Sequence, residues 1–402
     1  MINSSVRNRF HFLFILPLIL LTTLVLPSCS KDSKADWTIL VYMAADNDLT
    51  QQAIDDIIQM EEASVSSSIN IIVQLDPNQY STNPEARRYR IKHNRDPQIT
   101  SPVIEYLGEI DSGDYYTLAQ FVNWTVNNYP ASRYALFIWS HGSGWTRDEN
   151  EQRWICPDND SLNQISIANG EFKNAFQLFP RKMDILVLDA CFMQTIEVIT
   201  EVYQYNDYIV GSENSVPYEG FPYKEILELW NVYRSPRYLA SAIVEQYITA
   251  HEPGGSQNPG GFERKAACSA ASSAQLPPLL ALITNFVENW YHIANSDEIL
   301  FARENSYSFN IPQTEADIYE FFSNLYLQTD NQELKADVEE ILQAINNLFV
   351  AYDSSFLPEN TGTATVWFPI RNYDFYGSIE LYSKLDFALT DWAFFVERTF
   401  DD

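Results

Sequence analysis

Two short segments carry side chains able to do chemistry. One is Phe137-Ile138-Trp139-Ser140-His141-Gly142-Ser143-Gly144-Trp145, the other Ile185-Leu186-Val187-Leu188-Asp189-Ala190-Cys191. Each is an apolar run that ends abruptly, in an imidazole or in a thiol. Such a run, bounded by turn residues, reads as a buried strand. In an open parallel α/β sheet, ligands bind beyond the carboxyl ends of the strands. Two strands ending at one edge would therefore bring His141 and Cys191 into one cleft. A thiol needs a base or a lowered pKa to attack a carbonyl, and a neighbouring histidine supplies it. Alone, a buried cysteine is usually a small hydrophobe and a histidine before a glycine says little. The pair says more than either.

The N-terminus reads as a processing signal. Arg7 and Arg9 form a basic region, and Phe12 to Leu26 is apolar apart from Pro17, Thr22 and Thr23. The stretch is too short and interrupted for a membrane span. It ends in Leu26-Pro27-Ser28-Cys29, which resembles a bacterial lipobox, with cleavage before Cys29 and lipid on its thiol. The alternative is an ordinary signal peptide with an incidental cysteine. Ser30, following the cysteine, points to the outer membrane of a bacterial cell envelope. Ser30-Lys31-Asp32 partly resembles a surface-export signal of Bacteroidetes lipoproteins, which would leave the protein surface-exposed. The segments expected are a signal peptide at 1–28, a lipid-anchored tether at 29–36, a catalytic core at 37–221 and a C-terminal part at 222–402.

Removing residues 1–28 takes away two arginines and no carboxylate, moving the net charge from −29 to −31. Such a surface repels nucleic acid and anionic membranes, leaving the lipid as the only membrane contact. It favours cationic partners and divalent cations, or serves solubility alone. At 14% aromatic residues the chain is not a disordered acidic tail. Besides Cys29 and Cys191 there are Cys156 and Cys268, which either pair or remain buried thiols. No Cys-x-x-Cys pair exists, which argues against structural zinc.

Strands are expected at Trp37–Ala45, Ile69–Leu75, the run to Trp139, the run to Cys191, and Tyr208–Ser212. Helices are expected at Leu49–Ala63, Tyr115–Asn128, Gly170–Phe179 and Met193–Tyr205. Asp46-Asn47-Asp48 reads as a turn and a cap. Arg87–Lys92 and Val103–Ile110 read as an exposed hairpin, and Trp145–Ser166 as irregular. The alternation predicts an α/β fold with a mostly parallel sheet flanked by helices. Beyond Phe221 helical periods dominate, with one late strand at Thr363–Pro369, so the C-terminal part is expected to be a largely helical extension.

In this order, the motifs resemble those of the clostripain-like cysteine peptidases of the caspase–gingipain–legumain group. The matching residues are Trp37-Thr38-Ile39-Leu40-Val41-Tyr42-Met43, Ala45-Asp46-Asn47-Asp48-Leu49, Ser140-His141-Gly142-x-Gly144-Trp145, and Asp189-Ala190-Cys191-x-Met193 with Glu197. Ser212-Glu213, Gly220-Phe221-Pro222-Tyr223 and Val366-Trp367-Phe368-Pro369 fit later blocks. His141 precedes Cys191 by 50 residues, the order and approximate distance of caspases. The resemblance spans roughly 37–395.

The resemblance implies a caspase-like fold and a dyad, with His141 as base and acid and Cys191 as nucleophile. No third, orienting carboxylate is evident. In relatives the oxyanion hole is made by the amides corresponding to Gly142 and Cys191. Asp189, two residues before Cys191, shares its strand face. Relatives with Asp here cleave after Arg or Lys; otherwise it is a strand-end cap of the next helix. Glu219 matches a second pocket acid, or a solvated loop carboxylate. Ser212 matches a pocket wall contributed through backbone. Some relatives need Ca²⁺, and Asp148-Glu149-Asn150-Glu151 and Asp158-Asn159-Asp160 offer hard oxygen ligands, neither with EF-hand spacing. Cleavage between His and Cys activates some relatives; Arg147 and Arg153 are candidates, without a clear processing motif.

The expected activity is a monomeric cysteine endopeptidase acting on peptides or proteins after Arg, then Lys, through an acyl-thioester and with no cofactor in the chemistry. The alternatives are a non-catalytic binding lipoprotein that keeps the fold, and a transpeptidase using the same dyad with an amine acceptor.

Overall fold

The computed structural model describes residues 34–145, 154–309, 313–356 and 362–400. The expected signal peptide, Cys29, most of the tether, Arg147, Arg153 and the acidic run at 148–151 lie outside them. Strand β1 (Ala35–Ala45) shows why its run is apolar without interruption. Leu40, Tyr42 and Ala44 face one core, while Ile39, Val41 and Met43 face another. A strand covered on both faces needs apolar residues at both parities. Helix α1 (Thr50–Glu62) covers the second face with Ala53, Ile57 and Met60. Its N-cap is Leu49, not the expected Asp46–Asp48 turn, whose side chains are engaged elsewhere.

Strand β2 (Ile69–Pro77) runs parallel to β1, and the hairpin β3 (Ala86–Arg90) and β4 (Val103–Gly108) extends that edge antiparallel. This hairpin is less exposed than its sequence implies. The Arg88 guanidinium is buried 4.3 Å over Trp124, bonded to Gln74 and Glu105. Helix α2 (Tyr115–Asn128), capped by Asp114, packs Leu118, Phe121 and Val122 on the first core. Strand β5 (Ala131–Trp139) then returns to the other side of β1, also parallel.

A separate hairpin, β6 (Trp154–Asp158) and β7 (Asn163–Ser166), replaces part of the expected irregular segment. Helix α3 (Glu171–Gln177), strand β8 (Met183–Asp189), helix α4 (Ile196–Val202) and strand β9 (Asn206–Gly211) complete the parallel part. The C-terminal part begins with α5 (Tyr223–Glu228) and α6 (Pro236–His251) and is largely helical, as expected. It nevertheless supplies four strands rather than one: β10 (Ala267–Ser272), β11 (Glu315–Asp317), β12 (Phe349–Ser354) and β13 (Thr365–Trp367). β11 and β13 pair apart, while β10 and β12 join the central sheet, whose order is β12-β10-β9-β8-β5-β1-β2-β3-β4. One sheet thus continues across the expected boundary at 221/222. β10 reads Ala-Cys-Ser-Ala-Ala-Ser, with no β-branched or aromatic residue to mark a strand. Among the described residues, no helix is long and apolar enough to cross a membrane.

The chain departs from β1 toward β2 and later returns toward β5. The loops after β1 and β5 therefore diverge, opening the crevice in which α/β sheets bind ligands.

Candidate active site

The site lies at that crevice. Trp139 of β5 pairs directly with Asp189 of β8, so His141 and Cys191 each stand two residues beyond matched positions on adjacent parallel strands. The Ser140 N–H donates to the Asp189 carbonyl at 3.2 Å, and the Ser140 hydroxyl to the Ala44 carbonyl at 2.6 Å. These bonds fix the start of the His141 loop against both neighbouring strands.

Asp48, a carboxylate that the sequence did not single out as an orienter, lies 2.6 Å through Oδ1 from His141 Nε2. That contact places the ring proton on Nε2 and leaves Nδ1 as the basic nitrogen. The Asp48 loop is held by Asn47, whose amide donates to the Ala44 and Pro157 carbonyls and whose Oδ1 accepts the Leu49 N–H. Asp48 itself is 82% exposed.

Cys191 is half-buried, and burial pushes its thiol pKa up. Opposing this, the Val216 N–H donates to Sγ at 3.3 Å, a backbone contact no sequence motif marks. Burial disfavours the thiolate, so attack gains from a base that takes the thiol proton. The residue after it, Phe192, has φ 59° and donates its N–H to the Asn214 carbonyl. This is a left-handed conformation costly to a bulky residue and held by its surroundings.

Gly142 is required by close approach. A Cβ there would sit 2.9 Å from both Ala190 Cβ and the Cys191 carbonyl oxygen. Gly142 also bridges Ile155 of β6, but the two bonds of that bridge come from its neighbours, Cys156 N to His141 O and Ser143 N to Trp154 O. The Gly142 N–H is left out of the pairing, as an oxyanion donor must be.

Asp189 is 4% exposed and accepts from the Tyr223 hydroxyl at 2.9 Å. Burial pushes it up to about 7, against the bonds from Tyr223 and from the Phe221 N–H. Asp56 of α1 faces it. A Cβ on Gly220 would lie 3.5 Å from an oxygen of each carboxylate. Asp56 accepts from Trp139 Nε1 at 2.8 Å, and burial, then Asp189, pushes it well up. Burying carboxylates in this way costs free energy unless hydrogen-bond donors or a cation compensate them.

Glu219 lies on the wall next to Gly220 but is paired with Arg264, which holds its carboxyl below the usual range. Ser212 is buried, with its side chain closing a turn onto Asn214 and its carbonyl accepting the Gln194 N–H. Glu197 lies away from the crevice, buried with Oε1 on the Trp367 N–H. Cys156 and Cys268 are buried and unpaired. A cavity of 830 Å³ along α1, β2 and β3 meets the site at Asp48, while one of 160 Å³ joins Asp56 to Glu219 and Tyr218.

Residues 41–378 match the model of the clostripain family, peptidase C11. Clostripain of Hathewaya histolytica is 29% identical over 229 residues, a match covering 50% of this chain and 43% of that protein. Two solved structures share the fold. One is a secreted C11 cysteine protease from Bacteroides thetaiotaomicron bound to an irreversible peptide inhibitor, with a TM-score of 0.70, 20% identity, and coverage of 89% of this chain and 99% of the other. The other is an inactive zymogen C11 protease from Parabacteroides distasonis, with a TM-score of 0.68, 18% identity, and coverage of 89% and 98%. With its helix-flanked, mostly parallel sheet and its histidine and cysteine at one crevice, the chain belongs to the clostripain family of cysteine peptidases.

Proposed function

We propose that this protein is an endopeptidase that hydrolyses peptide bonds after basic residues, Arg before Lys, through His141 and Cys191. The observation that carries the reading is the matched placement of these two residues on β5 and β8, above the buried carboxylate of Asp189. Cys191 Sγ attacks the scissile carbonyl carbon while its proton passes to His141 Nδ1. The oxyanion takes hydrogen bonds from the Gly142 and Cys191 amides. His141 then protonates the departing amine, leaving a thioester. A water, deprotonated by His141, releases the acid and restores the thiol. Asp189 receives the P1 cation, as a fork of hydrogen bonds from Arg or a point charge from Lys. With Glu219 already paired to Arg264, the P1 role falls first to Asp189.

Labelling with an arginine-based acyloxymethyl ketone tests this. Modification at Cys191, with Arg ahead of Lys and well ahead of Asn or Leu analogues, is the expected result. Labelling elsewhere, or an apolar preference, overturns it. Mass spectrometry of products formed with excess amine separates hydrolysis from transpeptidation. Leu26-Pro27-Ser28-Cys29 supports the further proposal of an outer-membrane lipoprotein. Cys29→Ser should then abolish lipid incorporation, and an unchanged membrane fraction and lipid label would refute it.

A further inference from the structure

The 830 Å³ groove that meets the site at Asp48 has no part in the steps proposed for the dyad. Its volume is that of a binding pocket rather than a surface crease. The apolar part of its lining is Ile54 and Ile58, one turn apart on α1, with Leu75 near the end of β2, Tyr80 and Ile99. Tyr80 is 87% exposed, and the three isoleucines are half-buried. Singly, such exposure is ordinary. Gathered around one hollow, it marks a contact surface. The same hollow includes Asp48, which touches His141 at 2.6 Å.

Strand register shows which part of a substrate reaches it. Asp189 of β8 pairs with Trp139 of β5, Trp139 with Met43 of β1, and Met43 with Leu75 of β2. One line across the sheet thus runs from the strand of the nucleophile, past that of the base, to the groove. β9, which leads into the Gly220 wall, lies on the opposite side of β8. The inference rests on the proposed mechanism, in which His141 protonates the departing amine. The departing chain then leaves Cys191 on the β5 side, away from β9, and heads toward β1 and β2. Neighbouring strands are about 4.8 Å apart, so the steps from β8 to β2 span about 14 Å. An extended peptide rises about 3.3 Å per residue and covers that distance in about four residues.

We infer that the groove is a primed-side subsite. It takes the substrate chain about four residues past the cleaved bond, with apolar side chains against Ile54, Ile58 and Tyr80. The ligand is an extended polypeptide rather than a short peptide ending just beyond the cleaved bond. Contacts made there lie away from the reacting atoms. They hold the scissile bond against Cys191, so they raise kcat as well as lower KM.

The test is a pair of peptides with one cleavable bond, one ending at P2′ and one at P6′ with Leu at P3′, P4′ and P5′. Both carry whichever P1 residue the parent cleaves best, so failure of the basic P1 reading leaves the test intact. The longer peptide should have a kcat/KM about tenfold higher or more. Serines in place of the leucines should lose most of that gain. The ratio of long over short should fall toward one in Tyr80→Ser and in Ile58→Arg, and taking a ratio cancels any effect on the dyad. Tyr80 is exposed, so its variant should fold. A second readout needs no turnover. By fluorescence anisotropy, the Cys191→Ala protein should bind the long peptide about tenfold more tightly than the short one. Equal kcat/KM or equal affinity for the two peptides overturns the inference. So does a gain that both groove variants leave intact, which places the distal chain elsewhere.

Discussion

Replacing Asp189 by Asn should separate recognition of the P1 residue from reactivity of the thiol. The substitution is nearly isosteric, and the remaining carbonyl can still accept from Tyr223 or Phe221. What it removes is charge. Asp189 is 4% exposed, so an ion pair with the proposed P1 guanidinium would form out of water. Losing one partner of a buried, hydrogen-bonded pair costs about 2–5 kcal/mol. That corresponds to a fall of about 1.5 to 3.5 decades in kcat/KM for an Arg substrate. Asp56, within reach of the same hollow, places the loss toward the lower part of that range. Alkylation of Cys191 by iodoacetamide, which has no P1 group, should change little. A second signature lies in pH. Burial pushes Asp189 up to about 7 in the free enzyme. The group is then partly protonated below neutrality, and a cationic P1 residue must displace that proton. The ratio of kcat/KM for Arg over its neutral isostere citrulline should rise with pH through about 7 and then level. Taking a ratio cancels the titration of the dyad. In Asp189→Asn the ratio should be smaller, with its rise reduced to whatever Asp56 contributes. An Asn variant that cleaves after Arg undiminished, with an unaltered ratio, would refute the reasoning and return Asp189 to a purely structural role.

Cys191→Ala and His141→Ala should each lose essentially all turnover while melting like the parent; wild-type hydrolysis by the Cys191 variant would end the mechanism. Asp48→Ala should lower kcat by no more than about fivefold, because an 82% exposed contact is worth about 1 kcal/mol or less; a loss of several decades would mean that Asp48 does more than orient the ring. Gly142→Ala, forced 2.9 Å from the Cys191 carbonyl, should cut kcat sharply with little change in far-ultraviolet dichroism. Glu197→Gln bears on stability. Burial raises Glu197 from 4.5 to about 8, so the stability it supports is full below about 4.5 and is lost as pH rises through about 8. The parent's melting temperature should therefore fall more between pH 5 and 8.5 than that of the Gln variant, and parallel curves would count against the burial argument.

The parts of this site readable in the sequence are those set by local pattern. An apolar run interrupted by a reactive residue marks both a buried strand and its end, so β5, β8, His141 and Cys191 were all visible from one feature. Asp189 was singled out by strand parity with Cys191, yet β8 ends at Asp189 and Cys191 stands in the turn beyond it, so parity does not govern their relation. The parts not readable depend on which loops meet. Asp48 looked like one member of a turn, because nothing local says that the loop after β1 lies beside the one after β5. Val216 acts on the thiol through its amide, and an amide has no sequence signature. β10 escaped notice because small residues suit a strand buried between β9 and β12, while propensity favours bulk.

The same distinction explains why the acidic surface was hard to interpret from composition. A net charge of −29 reads as solubility when spread over a chain. The fold divides that charge into unlike groups. Asp189 and Asp56 lie buried under Gly220, at the end of the strand that carries the nucleophile. Asp46, Glu109 and Asp160 meet at loop ends, with Asp46 in the same loop as the orienting Asp48. Glu219 is neutralised by Arg264 beside Gly220. Burying a carboxylate costs free energy unless donors or a cation compensate it, so the surroundings decide what each of these groups can accept. These groups gather where the parallel strands end, at the switch in strand order on either side of β1.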